Sequence, residues 1–266
     1  MRDIKGKIAW VTGAGTGIGR AGAEALAAEG VVVVLTGRRR EPLEKTAANI
    51  AAAGGKCVIR VADLTKWDAV AKVADGIKTE FGRLDILVNN AGVNLPAREW
   101  SRLTPEGIDT LVQGNLTSAI YATRAVLPMM REQKDGQLIH TSSMAGRFIS
   151  PVSGPIYTAA KHGVVAMSHT INLEECENGI RSTVVCPGEV ATEIMQFRDP
   201  PEPPEIQARM VQSEDFGPVY VFLAKQPAHV CINEILVTPT HNRGYISAMR
   251  GRRAQQAQAR EMAGKS

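Results

Sequence analysis

Near the amino terminus, Ile8-Ala9-Trp10-Val11-Thr12 runs without a charge into a glycine cluster, Gly13, Gly15, Gly17 and Gly19, and the helix formers of Ala21 to Glu29 follow at once. An apolar run, a tight turn and a helix in so short a stretch are the opening of a βαβ unit. Glycines let the backbone turn sharply and let a pyrophosphate approach without a Cβ in the way. The helix behind them offers unpaired N–H groups and the positive end of its dipole. Two registers compete. Gly17-Ile18-Gly19-Arg20-Ala21-Gly22 fits G-x-G-x-x-G but lies too far past the strand, so Gly13-x-x-x-Gly17-x-Gly19 is the better placement. Gly13, Thr16, Gly17, Ile18 and Gly19 are thus the candidate cofactor contacts of this turn.

The alternation continues. Val31 to Thr36 is a continuous apolar, largely β-branched run, as expected of a strand buried on both faces of a parallel sheet. Pro42 to Ala53 reads as a helix and Lys56 to Val61 as a third strand leading to Asp63-Leu64. Val70, Val73, Ala74, Ile77 and Phe81 recur at spacings of three and four, which predicts a helix with one apolar face. Leu84 to Val88 is a fourth strand, delivering Asn89-Asn90-Ala91-Gly92, where small and amide residues can lie beneath a cofactor. Thr104-Pro105-Glu106 starts a long helix with Asn115 inside it, a poor interior residue that calls for a local carbonyl at a kink or a held water. Gln137 to Thr141, Ile180 to Val185 and Glu234 to Thr238 read as further strands. Ile156 to Glu177 and the stretch from Ser213 to Lys225 read as helices. No linker interrupts residues 1–245, so one domain is expected. A proline-bearing loop over 193–212 is the candidate substrate loop, with Met195, Phe197 and Met210 as apolar contacts, and 246–266 forms a polar tail.

The formal charge of +4 is modest and spread out, and the basic tail lacks interleaved aromatics, which argues against nucleic acid as a partner. Cys57, Cys176, Cys186 and Cys231 form no Cys-x-x-Cys pair, pointing to reduced thiols, no zinc site and a cytoplasmic protein. His162 and His169 lack companions at ligand spacing, so no metal is expected. The longest apolar run is too short to span a bilayer.

Where an NAD enzyme would carry an acid for the ribose 2′-hydroxyl, the second strand ends in Gly37-Arg38-Arg39-Arg40. A missing carboxylate and an added guanidinium favour a 2′-phosphate, so NADP(H) is preferred over NAD(H), with Arg38 as the contact. The competing reading is a solvated helix start. In Tyr157-Thr158-Ala159-Ala160-Lys161, helical spacing puts a phenol and an ammonium one turn apart on one face. A cation beside a phenol favours phenolate, giving a group that can exchange a proton with an alcohol or alkoxide near neutral pH.

Taken together, Thr12-Gly13-x-x-x-Gly17-Ile18-Gly19, Asn89-Asn90-Ala91-Gly92, Ser142-Ser143 and Tyr157-x-x-x-Lys161 resemble the short-chain dehydrogenase/reductase family over residues 5 to about 238. The resemblance implies a Rossmann-type doubly wound α/β fold, a seven-stranded parallel sheet in the order 3-2-1-4-5-6-7 with three helices on each face. It implies a tetrad of Asn115, Ser143, Tyr157 and Lys161, and cofactor contacts that include Asp63, Leu64, Asn90, Ala91, Gly92, Pro187, Gly188, Val190 and Thr192. The implied activity is hydride transfer between NADP(H) and a small-molecule carbonyl or secondary alcohol, in a homodimer or homotetramer. An NAD-dependent enzyme, an isomerase or dehydratase, and a non-catalytic nucleotide-binding regulator are the alternatives. Two departures stand out. Ser143 lies one residue further from the tyrosine than is usual, a residue that the 148–155 loop can absorb. Thr238-Pro239-Thr240-His241 replaces the common Asp-Gly-Gly ending, which puts the C-terminal closure of the pocket in doubt.

Overall fold

The computed structural model describes residues 1–149, 152–192 and 202–263. Strands and helices alternate: β1 (Ile8–Thr12), α1 (Gly17–Ala28), β2 (Val32–Gly37), α2 (Arg40–Ala52), β3 (Lys56–Val61), α3 (Trp67–Phe81) and β4 (Ile86–Asn89). Two helices then run nearly continuously, α4 (Pro105–Val112) and α5 (Ser118–Gln133), before β5 (Gly136–Thr141), α6 (Pro155–Glu175) and β6 (Ile180–Pro187). The C-terminal part holds β7 (Val190–Ala191), α7 (Pro204–Gln207), β8 (Val211–Gln212), α8 (Phe216–Ala224), β9 (Glu234–Val237) and α9 (Arg243–Ala263). Among the described residues, seven strands form one parallel sheet in the order β3-β2-β1-β4-β5-β6-β9, the expected Rossmann-type topology with β9 in the seventh place, while β7 pairs with β8.

Burial on both faces explains why the strands read as unbroken apolar runs. In β1, Ala9 and Val11 enter one core with Leu26 of α1, Leu43 and Ile50 of α2 and Phe216 and Tyr220 of α8. Ile8 and Trp10 point the other way, into a second core with Val70 and Ile77 of α3, Val126 and Met130 of α5 and Ile171 of α6. Three helices therefore cover each face. Each fully buried Val, Leu or Ile contributes on the order of 2 kcal/mol of transfer free energy, enough in sum to offset the ordering entropy of the chain. The periodic face predicted for α3 is the buried one, Val70, Val73, Ala74 and Ile77, and the helix stops at Gly82, whose φ of 68° is left-handed.

The structure departs from the expected boundaries in instructive places. Helix α1 begins at Gly17, ahead of the good helix formers, so the glycine turn and the helix N-terminus are one feature. The long helix predicted from Thr104 carries a π turn over Gln113–Thr117. Thr104 caps its start, its Oγ1 accepting from the Gly107 N–H at 3.1 Å. Within α6, Ala160 and Val164 are buried, and a Cβ on Gly163 would meet Leu116 at 3.0 Å. The polar tail is helical, and α9 starts at Arg243, spanning the boundary expected between 245 and 246. Met195 and Phe197 lie outside the described residues.

Candidate active site

The floor of the site is made where β1 and β4 end side by side. Thr12 Oγ1 accepts from the Asn90 and Ala91 N–H groups at 2.9 and 3.1 Å and donates to the Val88 carbonyl at 3.2 Å. Each bond is worth about 1 kcal/mol, and together they fix the two strand ends relative to each other. Gly13 turns at φ 64°, and a Cβ there would meet the Ala91 Cα at 3.0 Å. Gly19 is tighter still: a Cβ would stand 2.3 Å from the Gly13 carbonyl and 2.4 Å from Asn90 Nδ2. Asn90 Nδ2 in turn donates to the Gly13 carbonyl at 3.4 Å. Thr16 is the N-cap residue of α1, yet its side chain makes no capping bond and no acid stands in the first turn. The first N–H groups of α1 and a free hydroxyl are therefore left for an anion. A diphosphate-bearing dinucleotide fits this cradle of small residues, open amides and helix dipole.

At the ends of β5 and α6 the candidate tetrad comes together. Gly154 (φ 79°) and Pro155 start α6, Pro155 standing in the first turn, where its missing N–H costs nothing. Tyr157 follows, half-buried, and Lys161 lies one turn on, 4% exposed, with Nζ 5.5 Å from the Tyr157 ring centroid. Lys161 Nζ donates to the Thr141 carbonyl at 3.0 Å. Ser142 Oγ donates to the Lys161 carbonyl at 2.9 Å and so ties β5 to α6. Ser143 Oγ accepts from the Ala145 N–H at 3.1 Å and keeps its proton for another acceptor. Asn115, 1% exposed in the π turn, accepts from the Val93 N–H at 3.1 Å and donates to the Val93 and Leu111 carbonyls at 2.7 and 2.9 Å. The π turn swings this side chain out of the ordinary helical ladder toward the β4 end. A Cβ on Gly92 would stand 2.9 Å from Asn115 Oδ1 and 3.4 Å from Lys161 Nζ, so glycine there keeps the three groups adjacent.

One electrostatic expectation is corrected. Burial pushes the Tyr157 phenol above its ordinary pKa, and the opposing pull comes from the Ser143 hydroxyl rather than from Lys161. Burial also brings the Lys161 ammonium down to about 8. Both groups are desolvated and the ammonium is turned to a carbonyl, so removal from water outweighs the pairing that the spacing suggested.

A cavity of about 890 Å³ joins these parts, lined by Gly13, Thr16, Gly17 and Ile18, by Asn90, Ala91 and Gly92, by Asn115, Ser143, Tyr157 and Lys161, and by Pro187, Gly188, Val190 and Thr192. Gly19 supports it from beneath. Arg38, Asp63 and Leu64 lie outside this lining. Arg38 is exposed at the end of β2, within electrostatic reach of Asp63, whose Oδ1 accepts from the Thr65 N–H at 3.0 Å. Leu64 is packed in the second core. Sequence reasoning missed much of the far wall: Leu95, Phe148, Ile149 and Val152 give it an apolar side, and Glu189, Glu202, Asn242, Arg243 and Tyr245 a polar one. The C-terminal segment thus does line the cavity despite its altered ending. The Gly188 N–H donates to the Val237 carbonyl at 2.7 Å, and a Cβ on Gly188 would meet Thr238 Cα and Pro239 Cδ at 3.3 Å. Among the described residues, no helix is long and apolar enough to cross a membrane and no group of His, Cys, Asp or Glu side chains could hold a metal.

A family model described as short chain dehydrogenase matches residues 7–203. An uncharacterized oxidoreductase of Staphylococcus aureus (strain MRSA252) is 34% identical over 239 residues, which is 90% of this chain and 100% of that protein. The crystal structure of a metagenomic short-chain oxidoreductase in complex with NADP is 34% identical, with a TM-score of 0.78 over 90% of this chain and 99% of the other. Levodione reductase, 28% identical, gives a TM-score of 0.83 over 88% and 96% of the two chains. The sheet order, the glycine turn and these matches agree, and the chain belongs to the short-chain dehydrogenase/reductase family, as an oxidoreductase acting on CH–OH groups.

Proposed function

We propose that the chain interconverts a carbonyl compound and a secondary alcohol with NADP(H), and that Tyr157 gives or takes the proton. The observation that carries this reading is the side chain of Tyr157, half-buried in the cavity between the Ser143 hydroxyl and Lys161, beside a dinucleotide cradle. The turn from Gly13 to Gly19 would hold the pyrophosphate, and Asn90, Ala91 and Gly92 the middle of the cofactor. Pro187, Gly188, Val190 and Thr192 would hold the nicotinamide end, and Arg38 a 2′-phosphate, with Asp63 and Leu64 at the adenosine end. Bound there, the nicotinamide supplies or accepts the hydride.

The chain's own groups manage the proton. A phenol pushed above its ordinary pKa stays protonated near neutral pH, the form needed to hand a proton to an alkoxide oxygen. Ser143, whose Oγ already accepts from the Ala145 N–H, can direct its own O–H at that same oxygen. Lys161 carries its charge below pH about 8 and is held one turn away on the Thr141 carbonyl, while the Ser143 hydroxyl is the group that favours negative charge on the phenol oxygen as the proton leaves. Asn115 holds the π turn that keeps Lys161 and Gly92 adjacent. The apolar wall of Leu95, Phe148, Ile149 and Val152 suits a substrate with a hydrophobic body.

The test is a panel of aldehydes and ketones with NADPH and NADH, read as loss of reduced-cofactor absorbance. Oxidation of NADPH in preference to NADH by at least one carbonyl is expected. Saturable NADPH binding without oxidation by any of them would overturn the reading.

A further inference from the structure

The far wall of the cavity contains a cluster of charges with no place in the proton chemistry. Arg243, in the first turn of α9, donates from Nε to Glu189 Oε2 and from Nη1 and Nη2 to Glu202 Oε2 and Oε1, each at 2.9 Å, and a further contact joins its Nη2 to Glu189 Oε1. One guanidinium thus holds two carboxylates, each through both oxygens. The three residues come from three segments: Glu189 from the turn after β6, Glu202 from the chain leading into α7, and Arg243 from the C-terminal helix. All three line the cavity that contains Tyr157. None is fully exposed, with side-chain exposures of 28%, 16% and 36%. The carboxylates push the guanidinium pKa further above its ordinary value.

The backbone around this cluster is built to aim it. Asn242, 7% exposed, accepts from the Gly244 and Tyr245 N–H groups at 3.0 and 3.2 Å, and its own carbonyl accepts from the Ile246 N–H at 3.0 Å, so the start of α9 is capped and fixed. The Glu189 carbonyl accepts from the Val211 N–H at 3.1 Å, and Ser213 Oγ donates to the Ala191 carbonyl at 3.2 Å, which brings the chain after α7 onto the same turn. Tyr245, two residues beyond Arg243, stands in the cavity wall.

From this arrangement we propose that Arg243 is a positioning residue for the substrate: it clasps Glu189 and Glu202 together and thereby sets the substrate end of the cavity, including the placement of the 202–212 segment and of Tyr245. Although Glu189 sits between Gly188 and Val190, the residues that Arg243 draws in, Glu202 and the segment after it, lie at the substrate end, so the larger effect falls on how the substrate is held. This role rests on the proposed carbonyl reduction only in its kinetic consequence. The fastening itself is made within the chain and does not depend on that reading.

The experiment uses Arg243→Glu, Glu202→Arg and the double variant in the full chain. The exchange leaves two acids and one arginine at the same three positions. Three readouts are taken: amide hydrogen exchange over 202–212 without ligand, NADPH binding by fluorescence, and KM with kcat for a carbonyl substrate. Each single variant is expected to speed exchange and to raise KM by roughly ten-fold or more, with NADPH affinity within about two-fold of the parent. The double variant is expected to recover both to within about three-fold. Unchanged exchange in the single variants, or a double variant at least as impaired as the worse single one, overturns the clasp. Chains that bind NADPH and turn over no carbonyl would count against the enzyme reading, and the exchange readout alone would then decide the clasp.

Discussion

At the glycine-turn end of the cavity the wall is backbone: open N–H groups at the start of α1, the Gly13 turn, and strand ends pinned by the single hydroxyl of Thr12. At the far end the wall is side chains, Arg243 reaching partners 54 and 41 residues away in sequence, with an apolar face of Leu95, Phe148, Ile149 and Val152. The first end presents a geometry that any diphosphate can use, and it is intolerant of an added methyl group. The second is adjustable, since side chains can change there without moving a strand. Under the proposed function, a cofactor shared among many enzymes would be bound by the first means and a particular substrate by the second.

That contrast can be broken or sharpened by substitution. The largest effect is expected at the point where the two ends meet: Tyr157→Phe should lower kcat about a thousand-fold while NADPH binding stays nearly intact, measured by turnover and by fluorescence titration. Equal loss of both would make the tyrosine structural. At the backbone end, Gly19→Ala places a Cβ 2.3 Å from the Gly13 carbonyl and should weaken NADPH binding by roughly a hundred-fold, with a smaller effect on the melting temperature. An alanine chain that binds NADPH normally would show that the turn yields easily.

Between the two ends lies Lys161. Its folded-state pKa, about 8, lies below its ordinary value because the ammonium is buried. Above that pH the folded chain has released the proton that the unfolded chain still holds, so the unfolded state binds more protons and stability rises with pH. Compared with Lys161→Met, the wild type should gain about 2 kcal/mol from about pH 8 to about 9.5, with no difference in slope below that window. Denaturation of both chains across that range checks it, and parallel curves would mean that Lys161 titrates as an exposed lysine. The smallest effect is expected at the adenosine end, where Arg38→Gln should weaken NADPH binding about ten-fold and leave NADH binding unchanged.

Much of this was legible in the sequence. The unbroken strands and the three-and-four spacing of α3 are periodic signals, and burial on two faces or one is what such signals report. Asn115 was legible as a misfit: a residue that weakens a helix interior was expected to bond a local carbonyl, and it bonds Leu111 and Val93 in a π turn. The acidity of Tyr157 was misjudged because spacing fixes how near a lysine stands but not how dry the surroundings are or which carbonyl it turns toward. Arg243 was given no role in the sequence because no local pattern announces partners brought together by the fold. The Thr-Pro-Thr-His departure at 238–241 marked the right neighbourhood, and residues just beyond it line the cavity.

The most direct test of the central claim follows an atom. Wild-type chain and Tyr157→Phe are each given NADPH carrying deuterium at the transferable position, together with a carbonyl substrate, and the alcohol product is weighed by mass spectrometry. The account predicts an alcohol heavier by one mass unit from the wild type and none above background from the variant. Undeuterated alcohol from the wild type, or equal deuterated product from both chains, would contradict it.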